Sequence, residues 1–420
     1  MPTDSPREKR QLVIPGVLLW VSILFPRAQE VKTVTGFSFH GYATANYQKF
    51  DWQADFQRRA QVDLERLALE PSWRVNDWLR FDAEIEFEHG GTGSSMELDK
   101  LEEFGEFESE IEKGGEVVLE EVSATFELHP GFNVRLGHFI LPLGFAYRLD
   151  EPTDYFTVQR SATESNLMPV LWDETGAAIF GGLSFIQYEV ALVNGLDATG
   201  FGSATWIARG HQGRFETVNA ENLACAGRLD VRPLNGLTLG VAGYFGNSAD
   251  NRPKPDLKVP ARVAITEVHG EFSLGPYIAR GLFLYGILEN SGLVSQANRN
   301  LSNNLQVERT PVARSARGYF LEAGADALEL WRSGFGLYPQ RHPGRQGIEL
   351  YGRYDVYDTM REMDEGFFNN PRWDRETWSG GVNYKPHPRV ALKSQYAHRI
   401  LGTATENVED TYSLGMGLLF

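Results

Sequence analysis

Two stretches of this 420-residue sequence concentrate side chains able to do chemistry. In "ILPLGFAYRLDEPTDYFTVQRSATESNLMPVLW", residues 139–172, Arg148 and Arg160 stand among Asp150, Glu151, Asp154 and Glu164, with Tyr147, Tyr155 and Phe156 as bulky neighbours. A guanidinium presents paired N–H donors that match oxyanions, so such a stretch can sort small ions by charge and size. It holds no lysine. The second stretch, "MELDKLEEFGEFESEIEKGGE" at 96–116, is dense in carboxylates, the ligands calcium and magnesium prefer. It lacks EF-hand spacing, and a solvated acidic loop is the plainer reading.

Other chemical signals are thin. Nine histidines are scattered without metal-ligand spacing, and the single Cys225 excludes an internal disulfide framework or a cysteine zinc site. "GGTGSS" at 90–95 lacks the lysine of a phosphate-cradling loop. No G-x-S-x-G elbow occurs, and Ser203 with "HQGRF" at 211–215 gives no base that can be paired with a nucleophile. Neither a catalytic centre, a metal site nor a cofactor is expected.

The elements that must position the charged stretches are strands. The chain ends in "DTYSLGMGLLF", where Tyr412, Leu414, Met416, Leu418 and Phe420 fall on one face by period two. In "WLRFDAEIEFE", 78–88, Leu79, Phe81, Ala83, Ile85 and Phe87 share one face while Arg80, Asp82, Glu84, Glu86 and Glu88 share the other. Sixteen such segments follow Gly36, near 35–46, 58–70, 78–88, 116–128, 132–138, 173–183, 186–194, 221–232, 236–246, 262–274, 276–289, 316–328, 346–358, 376–386, 388–399 and 410–420. Tight links such as "HPG", "PLN" and "GP" alternate with long ones, the rhythm of an outer-membrane barrel, although the long link at 329–345 breaks it.

Composition agrees. Mean hydropathy is −0.32, and after residue 25 no apolar run approaches the roughly 18 residues of a spanning helix. The 43 Gly and the 26 Phe, 16 Tyr and 9 Trp suit strands and tight turns. Residues 1–28 read as a cleaved export signal, with Lys9 and Arg10 before the apolar "QLVIPGVLLWVSILF" and Ala28 at the cleavage point. Its removal leaves 36 Lys+Arg against 54 Asp+Glu, a balance that argues against nucleic acid as a partner. Residues 29–420 are then one closed antiparallel transmembrane β-barrel. In lipid every backbone polar group must pair within the protein, so the sheet closes and a hydrophobic last strand seals against "GFSFHGYATANY". On this reading Cys225 faces lipid beside Leu223 and Leu229.

Four stretches resemble the phosphate-selective porins O and P. They are "FQRRAQVDLERLAL" with "WLRFDAEIEFE"; "LEEVSATFELHPGFNVRLGHFILPLGF" with "TGAAIFGG"; "GIELYGRYDVYD"; and "GGVNYKPHPRVALKSQY" leading into "LGMGLLF". The resemblance implies a homotrimeric sixteen-stranded porin in the bacterial outer membrane, in contact with its lipid and lipopolysaccharide. It also implies a third loop, here 139–172, folded into the lumen, and a terminal Phe420, with Tyr412 before it, read by the barrel-assembly machinery. The family's phosphate-specific members carry a lysine cluster at the constriction, so its absence withholds phosphate specificity here.

If the apolar faces meet lipid, the other faces line water. Arg59, Arg135, Arg228, Arg232, Arg353, Lys385, Arg389 and Lys393 are then expected inside, with a larger set of acids that includes Glu84 and Glu86. Tyr147, Arg148, Asp150, Glu151, Asp154, Tyr155, Arg160 and Glu164 would form the constriction. The expected function is a passive channel for small charged or polar solutes, with weak cation preference or little preference. An outer-membrane barrel enzyme of lipase or protease type and a non-conducting structural or adhesive barrel are the competing classes.

Overall fold

The computed structural model describes residues 35–91, 97–103, 106–110, 115–212, 217–301, 309–333 and 346–420. The export signal expected at 1–28 lies outside them. The chain runs β1 (Gly36–Trp52), β2 (Gln61–Arg74), β3 (Leu79–Glu88), β4 (Glu97–Glu103), β5 (Glu106–Glu110), β6 (Glu116–His129), β7 (Phe132–Ile140), β8 (Asp173–Leu183) and β9 (Ile186–Asn194). There follow β10 (Leu223–Leu234), β11 (Leu237–Asn247), β12 (Arg262–Leu274), β13 (Tyr277–Leu288), β14 (Ser315–Asp326), β15 (Gly347–Glu362), β16 (Asp374–His387), β17 (Val390–Leu401) and β18 (Val408–Leu419). Strands β4 and β5 form a separate hairpin in the acidic stretch, and the other sixteen close into an antiparallel barrel. Each of the sixteen segments read from the alternation corresponds to one barrel strand.

Closure occurs between β1 and β18, registered from Tyr42 opposite Leu419 to Trp52 opposite Glu409. Phe420 completes the seam. Its N–H donates to Gly41 O at 2.9 Å and its carbonyl accepts from Gly41 N at 3.2 Å. A side chain at Gly41 would collide with the Phe420 ring, 2.6 Å from the position of a Cβ. Deleting Phe420 should therefore cost about 1–3 kcal/mol, two hydrogen bonds at a closed edge. Phe420→Ala keeps both bonds, so in refolding without assembly factors only the deletion should lower the folded fraction. An equal loss in both would mean that the ring, not the seam, stabilises the barrel.

Turns at one end are short. Gly236, at φ +81°, closes the β10–β11 turn, where a Cβ would lie 2.0 Å from Ser273 O, so only glycine fits. The long link before β15 carries a short helix, α3 (Ala327–Arg332), capped by Asp326 Oδ1, which accepts from the N–H groups of Leu328 and Glu329. Large apolar residues such as Leu229, Val241, Val268, Phe283 and Leu321 are exposed on the outer face, as a lipid-facing wall requires. Cys225 is exposed on that face as well.

The inner face departs from a uniformly wet lining. On β10, Asp230 and Arg228 give way to Ala226 and Ala224; on β12, His269 and Glu267 give way to Ile265 and Val263; on β13, Arg280 gives way to Leu282, Leu284 and Leu288. These buried apolar positions pack against Leu196, Phe201, Trp206 and Ile207 of the β9–β10 loop, Val294 of helix α2 (Ser291–Arg299), and Val312. The loops fold into the barrel and need a dry partner surface. Both faces of these strands are therefore apolar at the long-loop end, and alternation alone cannot separate them.

Candidate functional site

The segment 141–172 is fastened to strands around most of the barrel. Its two legs meet where Leu141 N–H donates to Trp172 O and where Phe145 N–H donates to Glu164 Oε1 at 2.6 Å. Glu164 opens the short helix α1 (Ala162–Leu167), whose cap Ser161 donates to Asp355 of β15 at 2.8 Å. Gly144 N–H donates to Glu267 of β12 at 2.6 Å, and its carbonyl accepts from Arg228 of β10 at 2.8 Å. Gly144 has φ +72°, and a Cβ there would meet Glu164 Oε1 at 2.3 Å. Burial, then the neighbouring Glu267, pushes the Glu164 carboxyl up to about 7.

Beyond Gly144 the segment crosses the barrel. Tyr147 donates to Glu189 of β9 at 2.6 Å, while Asp150 accepts from Tyr42 of β1 at 3.0 Å and from Arg160 at 2.5 Å. Lys385 Nζ holds Thr153 O, and Lys393 Nζ holds Tyr155 O at 2.8 Å and Thr157 O at 2.9 Å beneath the Tyr155 ring. Val158 N–H donates to Gln395 of β17. Pro152 and Val158 rest on the glycines of the last strand: a Cβ on Gly417 would lie 2.5 Å from Pro152, and one on Gly415 would lie 3.0 Å from Val158. That seat accounts for the glycines in "LGMGLLF".

The residues read as a constriction divide. Tyr147, Arg148, Asp150 and Arg160 keep partial access and stand between β1 and β10; Arg148 lies 3.9 Å from Asp230. Glu151 is half-buried and Asp154 exposed. Burial raises both carboxyls; Asp154 and Asp150 add to the rise at Glu151, while at Asp154 Lys385 and Arg280 oppose it and Asp150 adds to it. Tyr155 roofs the Lys393 ammonium. Glu164 is buried and acts as a fastener, with no part in a water-facing surface.

Among the expected lining residues, Arg135, Arg228, Arg353, Lys385, Lys393, Glu84 and Glu86 point into the barrel, and most are neutralised. Arg228 pairs with Asp230 at 3.0 Å, Arg353 with Glu322, and Lys385 with Glu349 at 2.7 Å. Three do not line it. Arg59 is exposed in the β1–β2 link because β2 begins only at Gln61. Arg232 is exposed where the β10–β11 register shifts beyond Val231, and Arg389 is exposed in the β16–β17 turn. Tyr412 and Phe420 lie on the outer face, 51% and 47% exposed.

Bulges explain what alternation missed. Val62 and Leu64 face outward, the register of β1 with β2 slips between Thr44 and Asn46, and Leu67 continues the outer face. That slip turns Arg66 inward, 2.9 Å from Glu86, 3.3 Å from Glu120 and 3.7 Å from Asp150. The odd step from Leu64 to Leu67 in "VDLERLAL" is its visible trace. A second slip between Glu84 and Ile85 makes Glu120 the extra residue on β6, so that Glu120 and Glu121 both face inward.

The hydrolase fragments do not assemble. Ser203 Oγ donates to Pro311 O, whereas His211 Nε2 lies 3.0 Å from Asp173 Oδ1. Burial alone would lower the His211 imidazole, but the Asp173 carboxylate overrides it and pushes it up to about 10. An imidazolium at neutral pH cannot accept a proton from serine.

No family model matches the chain. It is similar to an uncharacterised protein of Aquifex aeolicus (strain VF5), 25% identical over 413 residues that cover 98% of this chain and 86% of that one. Solved structures with a similar fold include a loop L8 deletion mutant of OmpT, an outer membrane protein of Vibrio cholerae (TM-score 0.53, 10% identity, 92% of this chain and 99% of that one). The outer membrane channel DcaP of Acinetobacter baumannii matches at TM-score 0.53 and 10% identity, over 92% and 97% of the two chains. An anion-selective porin from Comamonas acidovorans matches at 0.51 and 10%, over 92% and 100%. The fold is that of an outer-membrane barrel.

Proposed function

We propose that this chain is an outer-membrane porin that lets small charged or polar solutes diffuse passively beside an inward loop. The observation that carries the reading is the division of the interior. The β8–β15 side is packed dry at the long-loop end, while the wall from β1 to β7 and the loop edge from Arg148 to Asp154 stay polar and partly accessible. Solutes pass along that polar side. Low-dielectric walls focus the field there, so the sign of the uncompensated charge sets the preference. Arg160 is spent on Asp150 and Arg148 approaches Asp230, whereas Glu70, Glu84, Glu151 and Asp154 have no ion-pair partner among the described residues.

The expected preference is for cations. Reversal potentials of the purified protein in a planar bilayer under a salt gradient should favour potassium over chloride, and acidification should erode the bias as the raised Glu151 and Asp154 carboxyls take protons. Anion selectivity with phosphate block would defeat it, and a membrane without current would favour a plugged barrel. Resemblance further supports an outer-membrane homotrimer, assembled by machinery that reads Phe420 and bordered by lipopolysaccharide. Cross-linking of the protein in native membranes tests the trimer.

A further inference from the structure

Among the described residues, one group of three carboxylates inside the barrel has ion-pair partners on only one of its members. The β2–β3 register pairs Leu69 with Ile85 and Ser72 with Asp82, which sets Glu70 directly across from Glu84. Like charges in that arrangement repel and are normally selected against. The inward loop brings a third carboxylate, Asp150, so that one oxygen from each of Glu70, Glu84 and Asp150 lies within 4.8 Å of the other two. Glu84 is 5% exposed, and its Oε1 has no hydrogen-bond partner among the described residues. The donors on Asp150, from Tyr42, Arg160 and the more distant Arg66, all fall on Oδ1. The neighbouring trio Glu86, Glu88 and Glu120 differs, because Arg66 reaches all three.

We propose that Glu70, Glu84 and Asp150 bind a calcium ion within the passage. A buried carboxylate with no donor takes up either a proton or a cation, and three converging carboxylates favour the cation; the trio offers only oxygen, the ligand of hard cations, with no histidine or thiol among the three. Two oxygens on opposite sides of a calcium ion are separated by about 4.6–5.2 Å, against about 4.0–4.2 Å for magnesium. Separations no greater than 4.8 Å lie within the reach of calcium's larger and more flexible shell, whereas magnesium's short bonds and strict octahedron suit an irregular carboxylate trio less well. Waters complete the shell from the accessible Glu70 side. The site stands on geometry alone; its effect on current rests on the porin reading. A calcium ion held there narrows the passage and repels following cations, so it blocks monovalent current.

The test uses the full mature protein, refolded and purified in detergent. Terbium bound beside Tyr42 should luminesce on tyrosine excitation and be displaced by calcium, with titration calorimetry giving the calcium affinity directly. Glu84→Gln and Glu70→Gln should each weaken calcium binding at least tenfold, whereas deletion of the acidic hairpin 97–110 should leave it in place. Asp150→Asn, on the loop rather than the sheet, supplies the same test should a strand variant fail to fold, as read by heat-modifiable gel mobility. No calcium binding by the folded barrel at millimolar concentration, or equal affinity in wild type and all three variants, overturns the site. In bilayers, calcium should block potassium current through wild type and not through Glu84→Gln. Binding without any current keeps the site and removes the porin reading. Current with neither binding nor block removes the site and keeps the porin.

Discussion

Excising residues 147–160 and joining Ala146 to Ser161 through a short glycine-serine linker should raise single-channel conductance several-fold and weaken ion selectivity. The two legs already meet, because Glu164 Oε1 accepts from the Phe145 N–H at 2.6 Å and approaches Ala146 N at 3.4 Å, so the shortened loop needs little new backbone geometry. What disappears is the crossing itself: Tyr147 on Glu189, Asp150 on Tyr42, and the carbonyls that occupy Lys385 and Lys393. Both lysines then face water, where an ammonium is well solvated. The dry packing of Leu167 and Met168 remains. Single-channel recording checks this, and an unchanged conductance would mean that the path does not pass this loop.

Trp206→Ala should destabilise the barrel by about 3–5 kcal/mol, the range for deleting a large buried aromatic side chain. Trp206 is 0% exposed, its Nε1–H donates to Ala313 O at 3.1 Å, and its ring fills the space over Gly286, where a Cβ would lie 2.0 Å away. Removing it opens a cavity where the β9–β10 loop, α2 and the inner face of β13 converge. Urea unfolding in detergent should show a lower midpoint with native strand content before the transition. A loss below about 0.5 kcal/mol, the size of an ordinary surface substitution, would show that the loops are not packed as described.

Much of the fold was legible because alternation is a local signal repeated sixteen times. Strands such as β3 and β18 declare themselves within ten residues, and the tight links fix their order. The alternation fails where its premise does. Leu282 and Leu284 look lipid-facing by type, yet they sit inside because loops distant in sequence fold against them. Single-residue slips at Leu64–Leu67 and at Glu120 reverse which side chains point inward, which hid Arg66 and Glu120, and the late start of β2 at Gln61 leaves Arg59 in the link. The charged loop stood out by composition as a candidate sorting element. Its division of labour did not, since Glu164 and Asp154 are both acids, and only their partners distinguish a fastener from a water-facing group.

The seating of Pro152 and Val158 on Gly417 and Gly415 has a temporal consequence. Strand β18 supplies the seat, so the crossing segment cannot reach its resting place until that strand has joined the barrel. Until then Pro152 and Val158 have no surface to rest on, although Tyr147, Gly144 and Ser161 can already hold the segment to β9, β10, β12 and β15. Closing the seam and seating the crossing segment therefore become one concluding event.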